Sequence, residues 1–363
     1  MLCGISRYIR EHGPWSTFLE PRSLEESTPK WLLQWDGDGI IARVQNRAIA
    51  QAVLKSGIPA VDVLGVVQGQ GLPLVHTDDE RIAVLAAEHL MDRGFKAFGF
   101  FGLSGENWSQ RRRDAFVQAV RKAGHPCTVY EVPRQVHHTR MWEDYVADLA
   151  GWVARLAKPV GLMLCSDQCG PVMLEACRRA GAALPDEVAV IGVDNDEPLC
   201  EVTDPALSSV WPDHKNVGYQ AAALLHRLMR HEAAPGGPLY IPPREVVTRG
   251  STDVLALEDR DVAEAVRYIR DRACLGLTTD EVAEHVALSR SALQRRFKRA
   301  MGRTLHEEML RVRLRRAQDL LAGTELPIQV IARKAGFRHQ VYMGAVFRAR
   351  LGQTPRQYRK SAR

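Results

Sequence analysis

The sequence predicts an α/β domain followed by an all-α domain that carries two helix-turn-helix motifs. Three observations predict it. Short apolar runs alternate with amphipathic helices through the first two thirds of the chain. The last part reads as helices only, and it repeats itself. Charge divides along the same line: residues 255–363 hold 23 Lys and Arg against 12 Asp and Glu, whereas the remainder holds 26 against 31. A basic domain joined to a mildly acidic larger one fits a nucleic-acid binder coupled to a domain that binds something else.

Taken in order, strands are predicted at 39–42, 60–63, 97–102, 127–132, 161–165 and 188–193, with helices at 46–56, 79–93, 110–123, 144–156 and 171–180 between them. Strands this short, nearly all apolar and separated by helices, predict parallel sheets covered on both faces. The Pro/Gly-rich stretch 233–243 breaks the pattern, and 208–210 and 244–249 read as late, short strands. The domains are placed at 1–250 and 260–363, with 251–259 as linker.

In the second domain, Val282-Ala283-Glu284-His285-Val286-Ala287-Leu288 precedes Phe297, Gly302 and Thr304. Ile331-Ala332-Arg333-Lys334-Ala335-Gly336-Phe337 precedes Phe347, Gly352 and Thr354. The later landmarks recur at an offset of 50 and the earlier block at 49, so the second turn is one residue longer. Each copy is a short helix, a tight turn and a second basic helix. Ser289 is placed to cap one second helix. A connecting helix over 306–322 is about 25 Å long at about 1.5 Å per residue. That length can hold two reading helices in successive major grooves roughly 34 Å apart.

Arg290, Ser291, Gln294 and Arg295 occupy the first turns of one reading helix, and His339, Gln340, Val341 and Gly344 those of the other. Arg can pair with guanine and Gln with adenine, each through two hydrogen bonds, while small or apolar residues admit the backbone or meet a thymine methyl. Leu293, Phe297, Val346 and Phe347 should face the core. The plainer alternative is a solvated, salt-bridged face. Duplication of the whole frame argues against it.

In the first domain, the apolar run 188–193 leads into Asp194 and Asn195. Ligands of parallel α/β sheets bind beyond the carboxyl ends of strands, and this pair can accept from and donate to sugar hydroxyls. Asp167 follows the strand at 161–165 in the same way and Asp78 lies just before the helix at 79–93, though either can serve only as a helix cap. Trp108 can stack on a sugar ring or sit in the core. Arg112 can fork two hydroxyls or belong to a solvated face with Arg111 and Arg113.

Cys3, Cys127, Cys165, Cys169, Cys177, Cys200 and Cys274 are scattered without a C-x-x-C pair, which fits small apolar fillers in a reducing cytoplasm. No metal, cofactor or membrane span is expected. Nor is there a nucleophile motif or phosphate loop, so a carboxylate-based sugar hydrolase using Asp78 and Asp194 is the weak rival.

The second domain resembles the AraC/XylS family of transcription regulators. The likeness is carried by Leu293-Gln294-Arg295-Arg296-Phe297-Lys298, Arg313-Leu314-Arg315-Arg316-Ala317-Gln318-Asp319-Leu320-Leu321, the Ile331–Phe337 block and Gly352-Gln353-Thr354-Pro355-Arg356-Gln357-Tyr358-Arg359. Met343 replaces the family's usual Phe, a packing change only. Val341 and Ala345 replace commoner polar readers, so the second head is expected to read weakly. Ile191-Gly192-Val193-Asp194-Asn195, Ala206-Leu207-Ser208-Ser209-Val210 and Val217-Gly218-Tyr219-Gln220-Ala221-Ala222 resemble the LacI/periplasmic-binding-protein sensor fold, with two parallel-sheet subdomains.

A sensor of that kind ahead of an AraC-type domain is characteristic of the bacterial xylose operon regulator family. The resemblance implies ligand roles for Asp194, Asn195, Arg112, Trp108 and Asp78. It also implies a sugar effector such as xylose, promoter DNA and RNA polymerase as partners, a homodimer, and most often activation. The helix at 4–12 looks like the first helix of the sensor fold, which in the family follows a first strand. The expectation is therefore that translation starts upstream of Met1, that a gap opens beside strands 39–42 and 60–63, and that the chain as given folds poorly or is blind to sugar. A constitutive DNA binder with a sensor kept for dimerisation is the alternative.

Overall fold

The computed structural model describes residues 1–20, 30–67, 69, 71–133, 141–234, 236–254 and 259–361. The chain divides into two compact units, Met1–Val254 and Leu255–Arg363.

The first unit is α/β. Its larger sheet has six strands: β4 (Ala97–Ser104), β5 (Cys127–Pro133), β6 (Val160–Leu164), β7 (Val188–Val193), β8 (Ser208–Trp211) and β10 (Glu245–Val247). Their spatial order is β10-β8-β7-β6-β4-β5, and all neighbours are parallel except β10 with β8. Every residue of β6 and β7 is buried, as the continuous apolar runs predict for strands covered on both faces. Helices α4 (Asn107–Lys122), α5 (Trp142–Arg155), α6 (Gly170–Arg179) and α7 (Glu197–Glu201) connect β4 through β8 in turn, and α3 (Asp79–Met91) leads into β4.

The other half of the unit is built from two parallel pairs: β1 (Ile40–Ala42) with β2 (Ala60–Asp62), and β3 (Val75–Thr77) with β9 (Leu239–Ile241). Helix α1 (Leu2–His12) lies against α8 (His214–Met229), where Tyr8 Oη and His226 Nδ1 are 3.0 Å apart, and α2 (Arg47–Lys55) links β1 to β2. Val61, Val63, Val75, Val217, Leu224, Leu225 and Ile241 form the core here.

The predicted strands 39–42 and 60–63 pair with each other, Ile40 opposite Ala60, so the edges that face each other are satisfied. On the far side of β2, Asp62 N–H donates to Pro73 O at 2.8 Å. The far side of β1 carries no strand among the described residues.

Two short strands and a long helix depart from the sequence reading. β3 and β9 have three residues each, and β9 falls inside the Pro/Gly-rich stretch, so neither shows a periodicity of its own. Helix α8 carried the resemblance at 217–222 but was not anticipated as a helix. The linker also begins later than 251. Ser251 and Thr252 are buried in the first unit, where Ser251 Oγ donates to Val190 O at 2.6 Å and accepts from Ser208 N–H at 2.8 Å. Two hydroxyl-bearing residues look like linker, but here they complete the sheet's hydrogen bonding. Of the expected linker, 255–258 lie outside the described residues.

The second unit is all helical: α9 (Arg260–Arg272), α10 (Thr279–His285), α11 (Arg290–Met301), α12 (Leu305–Gly323), α13 (Ile328–Lys334), α14 (Gln340–Leu351) and α15 (Pro355–Ser361). It has two small cores. One gathers Val262, Val266, Ile269, Val282, Leu293 and Phe297; the other gathers Ile331, Ala335, Phe337, Met343, Val346 and Phe347. Helix α12 serves both, giving Leu305 and Met309 to the first and Ala317, Leu320 and Leu321 to the second. Met343 fills its place in the second core completely buried.

Candidate functional site

Four loops of the first unit meet at the carboxyl ends of its parallel strands: those after β3, β4, β6 and β7. Here the sequence-predicted residues separate. Arg112 is buried at the first turns of α4. Its Nε donates to Asp79 Oδ1 at 2.9 Å and its Nη1 to Cys165 O at 2.6 Å, which leaves Nη2 without a hydrogen bond among the described residues. The guanidinium stands over Trp108, 5.1 Å from the ring centroid. So Arg112 and Trp108 are brought together, and one face of that ring is already occupied by a cation.

Asp194 is partly exposed at the end of β7. Its Oδ2 accepts from Ser166 Oγ at 3.0 Å, and His214 Nε2 lies 3.5 Å from its Oδ1. Asp194 also interacts electrostatically with Arg112. Both Asp194 (φ 115) and Asn195 (φ 50) hold positive φ, a conformation that L residues keep only where the surroundings over-determine it. The Asn195 N–H donates to Ser209 Oγ at 3.0 Å, and its Oδ1 accepts from Arg249 Nη2 at 2.8 Å, so its side-chain oxygen is turned toward Arg249.

Asp78 is bonded to none of these four. Its Oδ1 accepts from Arg81 N–H at 2.9 Å and caps α3, and no hydrogen bond or ion pair joins it to the others. The neighbouring Asp79, which sequence reasoning passed over, is the buried one. It receives Arg112 on Oδ1 and Arg111 Nη2 at 2.8 Å on Oδ2, with His76 Nε2 3.5 Å away. Burial works to raise its pKa, but Arg112, His76 and Arg111 outweigh burial and hold it well below the usual carboxylate range. Two adjacent carboxylates before a helix gave no signal to choose between them; only the fold decides which one turns inward.

Asp167 is fully buried. It accepts from Ser209 Oγ at 2.7 Å and Asp196 N–H at 2.9 Å. Burial, with Asp194 adding to it, pushes its pKa up to about 7 against those hydrogen bonds. Gly192 makes room for it: a Cβ there would lie 2.1 Å from Asp167 Oδ1. Some buried polar atoms have no partner: Arg111 Nη1, on the side chain bonded to Asp79, Thr77 Oγ1 at the end of β3 and Asn107 Oδ1 at the start of α4. A polar ligand can satisfy such atoms, and each is costly while left unmet. Asn107, fixed through its amide to Val66 O at 3.3 Å, is a further residue the sequence did not signal.

In the second unit, the second helix of each repeat buries one side and exposes the other. Leu293 and Phe297 are buried under α11, and Val346 and Phe347 under α14, while Arg290, Ser291, Gln294 and Arg295 are exposed on α11. Ser289 Oγ accepts from Ala292 N–H at 3.3 Å and caps α11. His339 holds the equivalent place before α14 without a side-chain cap. Arg290 pairs at 3.2 Å with the exposed Asp280; Gln294 and Arg295 make no hydrogen bond or ion pair among the described residues. Other basic residues are structural. Arg296 is tied to Asp259 and Asp261, and Arg313 donates to Ala273 O and Leu277 O. Gln340, Val341 and His339 are exposed on or before α14, and Gly344 is half-buried.

Comparison with known proteins gives the two units their relatives. Residues 1–150 match the periplasmic binding proteins and sugar binding domain of LacI family, and 87–252 a periplasmic binding protein-like domain. Residues 282–361 match a helix-turn-helix domain. The xylose operon regulatory protein of Escherichia coli K12 is 33% identical over 366 residues, covering 98% of this chain and 92% of that protein. The protein of the same name from Haemophilus influenzae is 32% identical, covering 98% and 93%. Among solved structures, a xylose-binding transcription activator superposes with a TM-score of 0.61 at 32% identity, covering 99% of this chain and 93% of that one. These relatives are transcription regulators rather than enzymes. With a periplasmic-binding-protein-like sugar-binding domain followed by a helix-turn-helix domain, the chain belongs to the family of xylose operon regulatory proteins and is a DNA-binding transcription regulator.

Proposed function

We propose that this regulator is an activator whose effector is D-xylose or a related monosaccharide, bound at the carboxyl ends of β4, β6 and β7. The observation that carries the reading is that adjacent residues after β6 hold both groups: Cys165 O accepts from the buried Arg112, and Ser166 Oγ donates to Asp194, which is partly exposed and at positive φ. One offers carboxylate oxygens and the other a spare guanidinium nitrogen, the donors and acceptors that neighbouring sugar hydroxyls require. Asn195 and Trp108 complete the ligand set. Asp78 acts through the start of α3. The names of the relatives support xylose.

The protein works as a homodimer in the cytoplasm. Arg290, Ser291, Gln294, Arg295, His339, Gln340, Val341 and Gly344 face promoter DNA, and RNA polymerase is recruited beside it. The sugar acts by binding one arrangement of the protein more tightly than another; without that difference it shifts nothing. Titration calorimetry with a panel of pentoses and hexoses tests the effector. Saturable binding of xylose is expected, together with xylose-dependent binding to promoter fragments. Binding of no sugar at all, with DNA affinity unaffected, overturns the reading in favour of a constitutive regulator. Assaying the same sugars for turnover should give none.

A further inference from the structure

The duplicated frame allows the two reading helices to be compared place by place. At the offset of 50, Arg290, Ser291, Gln294 and Arg295 of α11 correspond to Gln340, Val341, Gly344 and Ala345 of α14. Three of the four polar side chains are thus replaced by apolar or absent ones. Val341 is 78% exposed, on the outer side of a helix whose inner side buries Met343, Val346 and Phe347. It takes no part in the second core. A Cβ added at Gly344 would meet nothing within 4 Å, so internal packing does not demand glycine there. Ala345 is exposed on the same side, and so is Arg348, which keeps a positive charge two turns on.

On the base edges of the major groove, the apolar group is the thymine C5-methyl. A helix that keeps Gln340 at its start, bears apolar or absent side chains at the other three places and is flanked by basic ones has this as the further sequence feature it can read. We propose that α14 reads thymine methyl groups, with Val341 as the contact and Gly344 and Ala345 clearing a close approach, while α11 reads hydrogen-bonding edges. This rests on the reading that both helix pairs face DNA. It refines the expectation that the second head reads weakly: its reading is apolar rather than absent.

The experiment begins with selection of a preferred duplex from a randomised library by the full chain, at fixed salt, with and without D-xylose. Each thymine of that duplex is then replaced singly by deoxyuridine, which removes only the methyl. The expected result is a loss of about 3- to 5-fold at one or two thymines of a single half-site, the size that burial of one methyl-sized group carries. Val341→Ser should abolish that sensitivity, and Val341→Ile should keep it. Cytosine and 5-methylcytosine placed at the same position should differ for the parent protein and not for Val341→Ser. The proposal is overturned if deoxyuridine is tolerated everywhere, or if Val341→Ser shows the same losses as the parent. It is also overturned if Val341→Ser impairs only transcription and leaves DNA preference intact, which would make Val341 a protein contact. Enrichment of no sequence would overturn the DNA reading of both helices, a result distinct from these.

Discussion

Asp79 Oδ1 accepts from Arg112 Nε at 2.9 Å, joining the start of α3 to the first turns of α4 across the mouth of the sensor sheet. Both side chains are almost wholly removed from water. Arg112 is therefore held on one edge by Asp79 and by Cys165 O, with Nη2 left without a hydrogen bond among the described residues.

Removing that partner leaves a buried cation uncompensated. Asp79→Ala should destabilise the sensor by roughly 3–5 kcal/mol, read from urea denaturation, and should weaken sugar binding as Arg112 reorients. Asp78→Ala deletes only a helix cap and should cost about 1 kcal/mol. Equal effects at the two adjacent positions would refute the division of labour between them.

Two buried carboxylates make stability depend on pH with opposite signs in separate windows. Asp79 has a folded pKa below its unfolded value, so its contribution is fully present above about pH 4 and is lost as pH falls further. Asp167 has a folded pKa of about 7, above its unfolded value. Its contribution is fully present below about pH 4 and is lost as pH rises toward 7, on the order of 1.4 kcal/mol per pH unit. Sensor stability should thus decline between these limits, and Asp167→Asn should flatten the decline. Denaturant midpoints measured across the range check both signs.

Asp194→Asn keeps the shape of the side chain but loses a charged acceptor at the end of β7. Sugar affinity should fall by about 1.5–3 kcal/mol in calorimetry, with DNA affinity in the absence of sugar unchanged. Undiminished sugar binding would place the ligand elsewhere.

Arg295 is exposed on α11 and is held by no partner among the described residues. Arg295→Ala should cost roughly 1–3 kcal/mol on the preferred duplex and relax the preference at one base pair. A uniform loss on all members of a randomised library would instead assign Arg295 to phosphate.

The two helix-turn-helix turns differ at one equivalent place, Ala287 at φ 54 and Gly336 at φ 78. A Cβ on Gly336 would lie 2.7 Å from Cys274 Cα, a backbone atom that cannot easily move away. Gly336→Ala should therefore cost more than the roughly 1–2 kcal/mol of left-handed strain alone. Ala287→Gly should be neutral or stabilising. Thermal unfolding of the two variants beside the parent distinguishes them.

Much of this regulator is legible from its residues alone. The repeat that places Phe297 against Phe347 and Thr304 against Thr354 survives as two matching cores, because burial of an apolar side of each helix is a local, periodic requirement. The apolar runs of β6 and β7 announce buried parallel strands for the same reason. What the tertiary structure alone decides is partnership between residues distant in sequence. It turns Asp79 inward and Asp78 onto its own helix, engages Asn195 with Arg249, lays Arg112 on Trp108, and takes Ser251 and Thr252 out of the linker into the sheet. A side chain's neighbours across a fold leave no period in its sequence. The charge and hydrogen bonds that select among Asp78, Asp79, Asp167 and Asp194 exist only once β3, β4, β6 and β7 have brought their carboxyl ends together.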